Sequence, residues 1–221
     1  DTRWSYPIKV VRIGSGGAIY LAGMCGVSKE ADHWYPYQGL CAARFSADGQ
    51  VDRSFGNHSG VAAYQVGKYS FATDLELLPD GRIILSGGVG AYGTGWAILR
   101  LAADGKSSEV LEPRFTRQAG QPGAPSVEVA AGGKVVAAGA RGLATDAGAK
   151  DQHRLTITRT AQDGTLDASF AGGSVDPLPP DAISGATSVV LTPDGGILAA
   201  GVSFSASDWN ARRLVLVKVW Q

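Results

Sequence analysis

Short apolar runs, each ending at a glycine, recur four times along the chain. They occupy residues 11–23, 75–87, 127–139 and 189–201. In these runs β-branched or aliphatic residues stand on both sides of a turn that contains glycine or Asp-Gly, and this pattern predicts two antiparallel strands joined by a hairpin. No segment keeps an apolar period of 3.6 residues, so we expect helices to be nearly absent. Because a repeated unit buries its apolar side only against its neighbours, the repeat determines the architecture.

The second unit indicates how many strands each repeat contains. Apolar segments over 72–78, 82–87 and 96–101 predict three strands, and Asp104-Gly105 begins the passage to a fourth. Aligned basic residues at positions 44, 100, 159 and 218 lie 56, 59 and 59 residues apart. Four strands in such a period is the size of a β-propeller blade, whereas a solenoid uses shorter, parallel coils. The sequence therefore predicts a single all-β, propeller-like domain over 1–221, with four repeats of about four antiparallel strands and units near 1–59, 60–118, 119–178 and 179–221.

The aligned basic residues share one face of the third strand in each unit. They are Arg44, Arg100, Arg159 and Lys218. We expect them to reach between blades to main-chain carbonyls or to Asp52 and Asp167. A ring of cations that lines a central ligand channel is the alternative.

Two motifs resemble the bacterial delta-sixty repeat. One is Ala-Arg-Phe-Ser-Ala-Asp-Gly-Gln-Val-Asp-Arg-Ser-Phe-Gly at 43–56, and the other is Asp-Gly-Thr-Leu-Asp-Ala-Ser-Phe at 163–170, followed by the apolar run at 191–201. The resemblance covers nearly the whole chain and implies a propeller-like β fold in large, often secreted or surface-associated bacterial proteins. It implies no catalytic residues, because the shared positions are turn and core residues. The second unit lacks the Leu-Asp-x-Ser-Phe element after Asp104-Gly105, so the motif does not support an outer strand there.

The fourth unit stops after its third predicted strand, at 214–220, and only 1–6 precede the first strand of the chain. We therefore expect the last blade to lack an outer strand and to expose an apolar edge. The candidate partner edge consists of Leu214, Leu216, Lys218 and Trp220. Two arrangements remain open: four blades close on themselves with one three-stranded blade, or another chain, identical or different, completes a larger ring.

The two cysteines indicate the compartment. Cys25 and Cys41 lie at opposite ends of one loop between predicted neighbouring strands, where a disulfide would stabilise by about 3 kcal/mol on the chain-entropy model. The alternative is two buried thiols in a cytosolic protein. A disulfide favours the periplasm or the exterior, and the start at Asp1 without Met fits a processed protein whose signal peptide has been removed.

Connections between second and third strands are long and differ between units. They emerge opposite the Asp-Gly turns, on the face where binding residues generally lie. Exposed aromatic side chains beside polar groups suit a sugar ring or a protein hot spot; the alternative is that they cover the top of the core. The candidate binding residues are His33, Trp34, Tyr35, Tyr37, Tyr92, Trp96, Asp208 and Trp209.

Composition excludes several classes of function. Lys plus Arg equals Asp plus Glu at 20 each, which argues against binding nucleic acid. No apolar run approaches the roughly 20 residues that span a bilayer. The three histidines have no shared ligand spacing, so we expect no metal, and no motif predicts a cofactor. The repeated Asp-Gly pairs are typical of tight turns and not of calcium sites.

We therefore expect a non-enzymatic, exported β-propeller module that binds a protein partner or a glycan through its long-loop face. The first alternative is an exported propeller enzyme, or enzyme subunit, acting on a glycan or similar substrate. Its acid and base candidates are Glu30, Asp146, Asp151 and Asp208, because a propeller site draws residues from several blades. The second alternative is a structural scaffold or half-propeller subunit of a larger assembly.

Overall fold

The computed structural model describes residues 8–26, 38–67, 70–89, 95–115, 125–142, 153–179, 182–205 and 208–220. Within these ranges the chain forms fifteen strands, three short 3-10 turns and no α-helix. The strands are rich in Val, Ile, Leu and Ala, and the β-branched members fit a pleated, half-buried surface. The expectation of an all-β chain is confirmed for this part of the molecule.

The strands form four antiparallel sheets in chain order, with sequential strands adjacent in each. Sheet 1 contains β1 (Val10–Ile13), β2 (Ile19–Gly26), β3 (Gln38–Phe45) and β4 (Val61–Tyr64). Sheet 2 contains β5 (Ser70–Leu77), β6 (Ile83–Val89), β7 (Gly95–Leu101) and β8 (Ser108–Phe115). Sheet 3 contains β9 (Ser126–Ala130), β10 (Lys134–Gly142), β11 (His153–Thr160) and β12 (Ser174–Val175). Sheet 4 contains β13 (Ala182–Leu191), β14 (Gly196–Ser205) and β15 (Asp208–Trp220).

The fold differs from the sequence prediction at two places. The second unit does have an outer strand, β8, although it lacks the Leu-Asp-x-Ser-Phe element. An extended segment beside β7 is sufficient for pairing, so that element is not required. The predicted long fourth connection is also wrong, because Ser205 pairs with Asp208 and the β14–β15 hairpin reaches almost to its tip. Asp208 and Trp209 therefore belong to β15 and not to a loop.

The Asp-Gly pairs form tight turns, as predicted. Asp80 accepts a hydrogen bond from the main-chain N–H of Arg82 at 3.0 Å, and Gly81 donates to the carbonyl of Leu78 at 2.9 Å. Gly81 has φ +85°, a backbone region that favours glycine. Asp163 and Gly164 repeat this arrangement in sheet 3. These carboxylates are therefore occupied in shaping the hairpins.

Packing divides the chain into two compact units. The first consists of Asp1–Gly93 and Ala97–Val110, and the second of Thr94–Trp96 and Leu111–Gln221. In each unit one sheet packs on the next. Where two sheets pack together, we call the contacting face of the sheet that comes earlier in the chain its forward face. The contacting face of the later sheet is its rear face. By strand alternation, every sheet has one face of each kind.

The core of the first unit lies between the forward face of sheet 1 and the rear face of sheet 2. Leu40 and Ala42 from sheet 1 meet Leu75, Leu85 and Leu99 from sheet 2, and each is at most 1% exposed. Burying one such leucine stabilises by about 1.5–3 kcal/mol. This contact is the main hydrophobic core of the first unit.

The second unit repeats the same contact. Leu155 and Ile157 on the forward face of sheet 3 meet Val189, Ile197 and Ala199 on the rear face of sheet 4. Alternate residues of β15 (Val215, Val217 and Val219) pack against the edge of this core. In both units, therefore, the forward face of one sheet packs on the rear face of the next.

The predicted disulfide is confirmed. Cys25 in β2 and Cys41 in β3 are bonded, with Cα atoms 6.0 Å apart, and both are fully buried. They lie on the rear face of sheet 1, among Ala43, Val61 and Ala63. The bond joins the two strands at the base of the connection that contains residues 27–37. Among the described residues, no helix has the length and apolarity needed to cross a membrane.

Candidate interaction surface

Strand β15 is the outermost strand of sheet 4. It pairs with β14 from Gly196↔Trp220 to Ser205↔Asp208, and no described strand pairs with its other edge. The other three sheets each have a fourth strand at this position. The main-chain N–H and C=O groups on the outer edge of β15 are thus available to an added strand. This confirms the expected three-stranded last sheet for the described chain.

The forward face of sheet 4 is apolar and exposed. Leu214 is 91% exposed, Leu216 66% and Trp220 64%, whereas the intervening Val215, Val217 and Val219 face the core. Val190 on β13 adds a further side chain that is 43% exposed. Large apolar groups grouped on one face of a soluble protein indicate an interaction site.

A shallow cavity of about 310 Å³ lies on this sheet. Its lining includes Ala200 and Val202 from β14 and Leu214 and Leu216 from β15. The register places Ala200 opposite Leu216 and Val202 opposite Leu214. The small Ala200 side chain beside two leucines therefore leaves space that an apolar group of a partner can fill.

The end of this face is polar. The Lys218 ammonium lies 2.5 Å from Asp194 Oδ2 and 4.3 Å from the centre of the Trp220 ring. Thr192 also donates to Asp194, at 2.5 Å. The hydrogen bonds from Lys218 and then Thr192 lower the pKa of Asp194 to about 2. The surface thus combines an apolar centre with a polar, solvent-exposed rim, which is the arrangement typical of protein interfaces.

The basic residues that occupy the repeat position of Lys218 in sheets 1 and 3 are held by contacts within the protein. Arg44 Nε donates to Asp52 at 2.8 Å, and Arg159 Nε donates to Asp167 at 2.7 Å, which confirms the predicted pairs. Each guanidinium lies over a phenylalanine ring, 4.8 Å from Phe55 and 4.9 Å from Phe170. Arg44 also donates to the carbonyl of Ala103 on sheet 2. These contacts favour the structural interpretation over a ligand channel lined with cations.

The rear face of sheet 1 is a second exposed apolar face. Val11 is 54% exposed and Ile13 65%, and Val51, which bridges to Phe45, is 47% exposed. The sequence analysis did not single out these residues. Val11 and Ile13 occupy apolar positions of the repeat, so residue type alone does not distinguish them from core positions.

The predicted long-loop surface is only partly described. His33, Trp34, Tyr35, Tyr37 and Tyr92 lie outside the described residues. The Cys25–Cys41 disulfide nevertheless joins β2 and β3, the two strands that flank the connection with the first four of these residues. That group therefore remains a prediction.

Trp96, which begins the predicted third strand of the second unit, is also a candidate binding residue in the sequence analysis. It is 1% exposed, and its Nε1 donates to the carbonyl of Ala140 at 3.0 Å. Trp96 lies in β7 at the repeat position of Leu40 and Leu155, which are forward-face core residues. The expectation that its ring is available for binding is wrong, because strand alternation turns it into the core.

Several charged groups elsewhere in the first unit form ion pairs. Arg12 lies 3.1 Å from Asp74 and 2.7 Å from Glu76 on the neighbouring sheet. Burial raises the pKa of Glu76, and Arg12 opposes that shift. A cavity of about 200 Å³ beside β7 contains Arg82 and Arg100, but both arginines form ion pairs with carboxylates. Within the described ranges no cluster of His, Cys, Asp or Glu could hold a metal ion.

Comparison with known proteins supports a propeller-like fold. The family described as "domain of unknown function (DUF5122) beta-propeller" matches residues 78–106, which run from the β5–β6 turn to the β7–β8 turn. No curated protein matches the chain. A protein of unknown function from Dyadobacter fermentans DSM 18053 is similar in structure, with 16% identity and a TM-score of 0.60 over 95% of this chain.

Two further solved structures share the fold. An ulvan lyase, from a new family of polysaccharide lyases, has 11% identity and a TM-score of 0.54 over 95% of this chain. A variant of the sialidase NanB from Streptococcus pneumoniae has 13% identity and a TM-score of 0.50 over 94%. This chain covers 64%, 54% and 30% of the three structures, so it corresponds to part of each. At these identities the likeness shows the arrangement of sheets alone.

Proposed function

We propose that this chain is a propeller-type module that binds another protein chain through β15 and the forward face of sheet 4. The observation that carries the proposal is the exposure of Leu214 and Leu216, at 91% and 66%, on a strand whose outer edge is unpaired among the described residues. An added strand could satisfy the main-chain groups of β15, while alternate apolar side chains supply contact area. Lys218 would orient the partner at one end.

The Cys25–Cys41 disulfide supports an exported location for this module. Disulfides persist in the periplasm and outside the cell, and they are rare in the reducing cytosol. In such a compartment a long, exposed edge strand needs a dedicated partner, because a free edge invites aggregation. A binding role would explain why this edge is kept apolar.

A capture assay with one lysine substitution tests this function. The immobilised chain is incubated with proteins exported by the source organism, in parallel with Leu216→Lys and with Ile8→Lys. Ile8 is also a large exposed apolar residue, at 48%, but it precedes β1 and lies on neither exposed face. We expect wild type and Ile8→Lys to retain the same protein and Leu216→Lys to lose it. For a captured protein other than this chain itself, equal retention by all three, or retention by none, contradicts the proposal; capture of a second copy of this chain is tested separately by association in solution.

Glycan binding is the second candidate function. The disulfide fixes the two ends of the connection that carries Trp34 and Tyr35, and such rings suit the faces of sugars. Two proteins with the same fold are an ulvan lyase and a sialidase, so ulvan and sialylated glycans are the first ligands to examine. Carboxylates from the same connections would supply acid and base chemistry if the module cleaves its ligand.

Calorimetric titration with these glycans separates the two candidates. Trp34→Ala should abolish heat of binding, whereas Trp220→Ala, the matched tryptophan on sheet 4, should leave it unchanged. Release of sugar products during incubation would identify an enzyme. Absence of binding by the wild-type chain, or equal loss in both variants, counts against the glycan candidate.

A further inference from the structure

The forward face of sheet 4 is an exposed copy of a face that is buried elsewhere in the chain. Leu214 is 91% exposed, but the residues at its repeat position in sheets 1 and 3, Leu40 and Leu155, are fully buried. Leu216 is 66% exposed, and its equivalents Ala42 and Ile157 are fully buried. In sheets 1 and 3 the covering group is the rear face of the next sheet.

The rear face of sheet 1 is the complementary case. Val11 is 54% exposed, whereas its equivalents Leu75 in sheet 2 and Val189 in sheet 4 are 0% and 2% exposed. In sheets 2 and 4 the covering group is the forward face of the preceding sheet. Among the described residues, two apolar faces of opposite kinds are thus exposed, the forward face of sheet 4 and the rear face of sheet 1.

These two exposed faces are of opposite kinds. Both described cores join a forward face to a rear face. We propose that the forward face of sheet 4 packs on the rear face of sheet 1 of a second copy of this chain, head to tail. The inference rests on the proposed function and names the partner. The formal net charge of zero means that two copies have little long-range repulsion to overcome.

The contacts of the first unit indicate how the polar rim would pair. Arg44 on the forward face of sheet 1 donates to the carbonyl of Ala103, in the β7–β8 turn of sheet 2, at 3.1 Å. Lys218 holds the repeat position of Arg44, and Ala47 holds that of Ala103. In the assembly Lys218 would therefore approach the carbonyl of Ala47 of the second copy. Two copies bring eight sheets, which is within the usual propeller range of about four to eight blades.

Sedimentation and native mass measurements on the purified chain test the inference. We expect wild type to self-associate, and Leu216→Lys and Val11→Lys each to weaken association at least tenfold. Ile8→Lys is the control and should associate like wild type. Near- and far-ultraviolet circular dichroism verifies that each variant is folded, since all three positions are exposed.

Mixing the two weakened variants gives the decisive result. Val11→Lys keeps an intact sheet 4 face, and Leu216→Lys keeps an intact sheet 1 face, so a head-to-tail contact predicts a one-to-one heterodimer. Association that survives Val11→Lys but not Leu216→Lys indicates a face paired with itself and overturns the inference. A wild-type chain that is monomeric at every accessible concentration also overturns it. In that case loss of another protein by Leu216→Lys in the capture assay would still support the proposed function.

Discussion

Leu155 and Leu214 offer a matched test of the repeat, because they occupy the same position in sheets 3 and 4. Leu155 is fully buried, and Leu214 is 91% exposed. Leu→Ala removes three methylene equivalents, which is about 2.4 kcal/mol of transfer free energy at about 0.8 kcal/mol each. A residual cavity places Leu155→Ala in the range of about 2–5 kcal/mol. Leu214 loses only about a tenth of the transfer free energy, or about 0.2 kcal/mol.

Urea denaturation of the two variants measures this difference. Both residues belong to the second compact unit, so both substitutions perturb the same unfolding transition. The measurement uses dilute, oxidised protein, since association would stabilise the folded chain in proportion to its concentration. A Leu214→Ala cost within about 1 kcal/mol of the Leu155→Ala cost would mean that the forward face of sheet 4 is covered in the monomer. The argument from repeat positions would then be refuted.

Three further predictions concern stability. Replacing Cys25 and Cys41 by serine should lower the free energy of unfolding by about 3 kcal/mol, measured by urea titration against the oxidised wild type. Asp194 has a folded pKa of about 2 against an ordinary value of 3.8, so its stabilising contribution is present above pH 4 and is lost as the pH falls through 2. Asp194→Asn should therefore flatten the stability profile in that window, and an unchanged profile would contradict the assignment. Gly87→Ala should destabilise by more than the roughly 1–2 kcal/mol expected for Gly132→Ala. A Cβ at Gly87 would lie 1.9 Å from the carbonyl oxygen of Phe71, whereas at Gly132 only the φ of +73° disfavours an alanine. Similar melting temperatures for the two variants would rule this out.

The repeated positions were predictable because each is set by strand alternation and turn chemistry. The apolar run at 75–87 predicted β5, the Asp80-Gly81 turn and β6, and the structure places β5 at Ser70–Leu77 and β6 at Ile83–Val89. Its final glycine also has a local cause. Gly87 lies against the carbonyl of Phe71, where the β5–β6 register shifts, and Gly201 lies equally close to Gly185 in sheet 4. No side chain fits at either position.

Positions that depend on tertiary contacts were less predictable. Trp96 is a candidate binding residue in the sequence analysis because it directly follows a long connection, but its position in β7 turns its side chain into the core. Strand β8 could not be predicted from its own sequence, since its pairing depends on β7 beside it. The exposed Val11 and Ile13 look like ordinary core positions in the repeat. Their exposure depends on which sheets pack beside them, and residue type does not encode it.

The forward-on-rear contact constrains how chains of this kind can change length. Within each compact unit, the later sheet packs its rear face on the forward face of the earlier one. Removing or adding only part of a sheet would therefore leave side chains of the neighbouring sheet without a complete face to pack against. Aligned basic residues 56–59 positions apart mark the length of one complete unit. Insertions and deletions should therefore be tolerated as whole units of that length, or within the connections between strands, and we expect size variants of this protein to differ in those two ways.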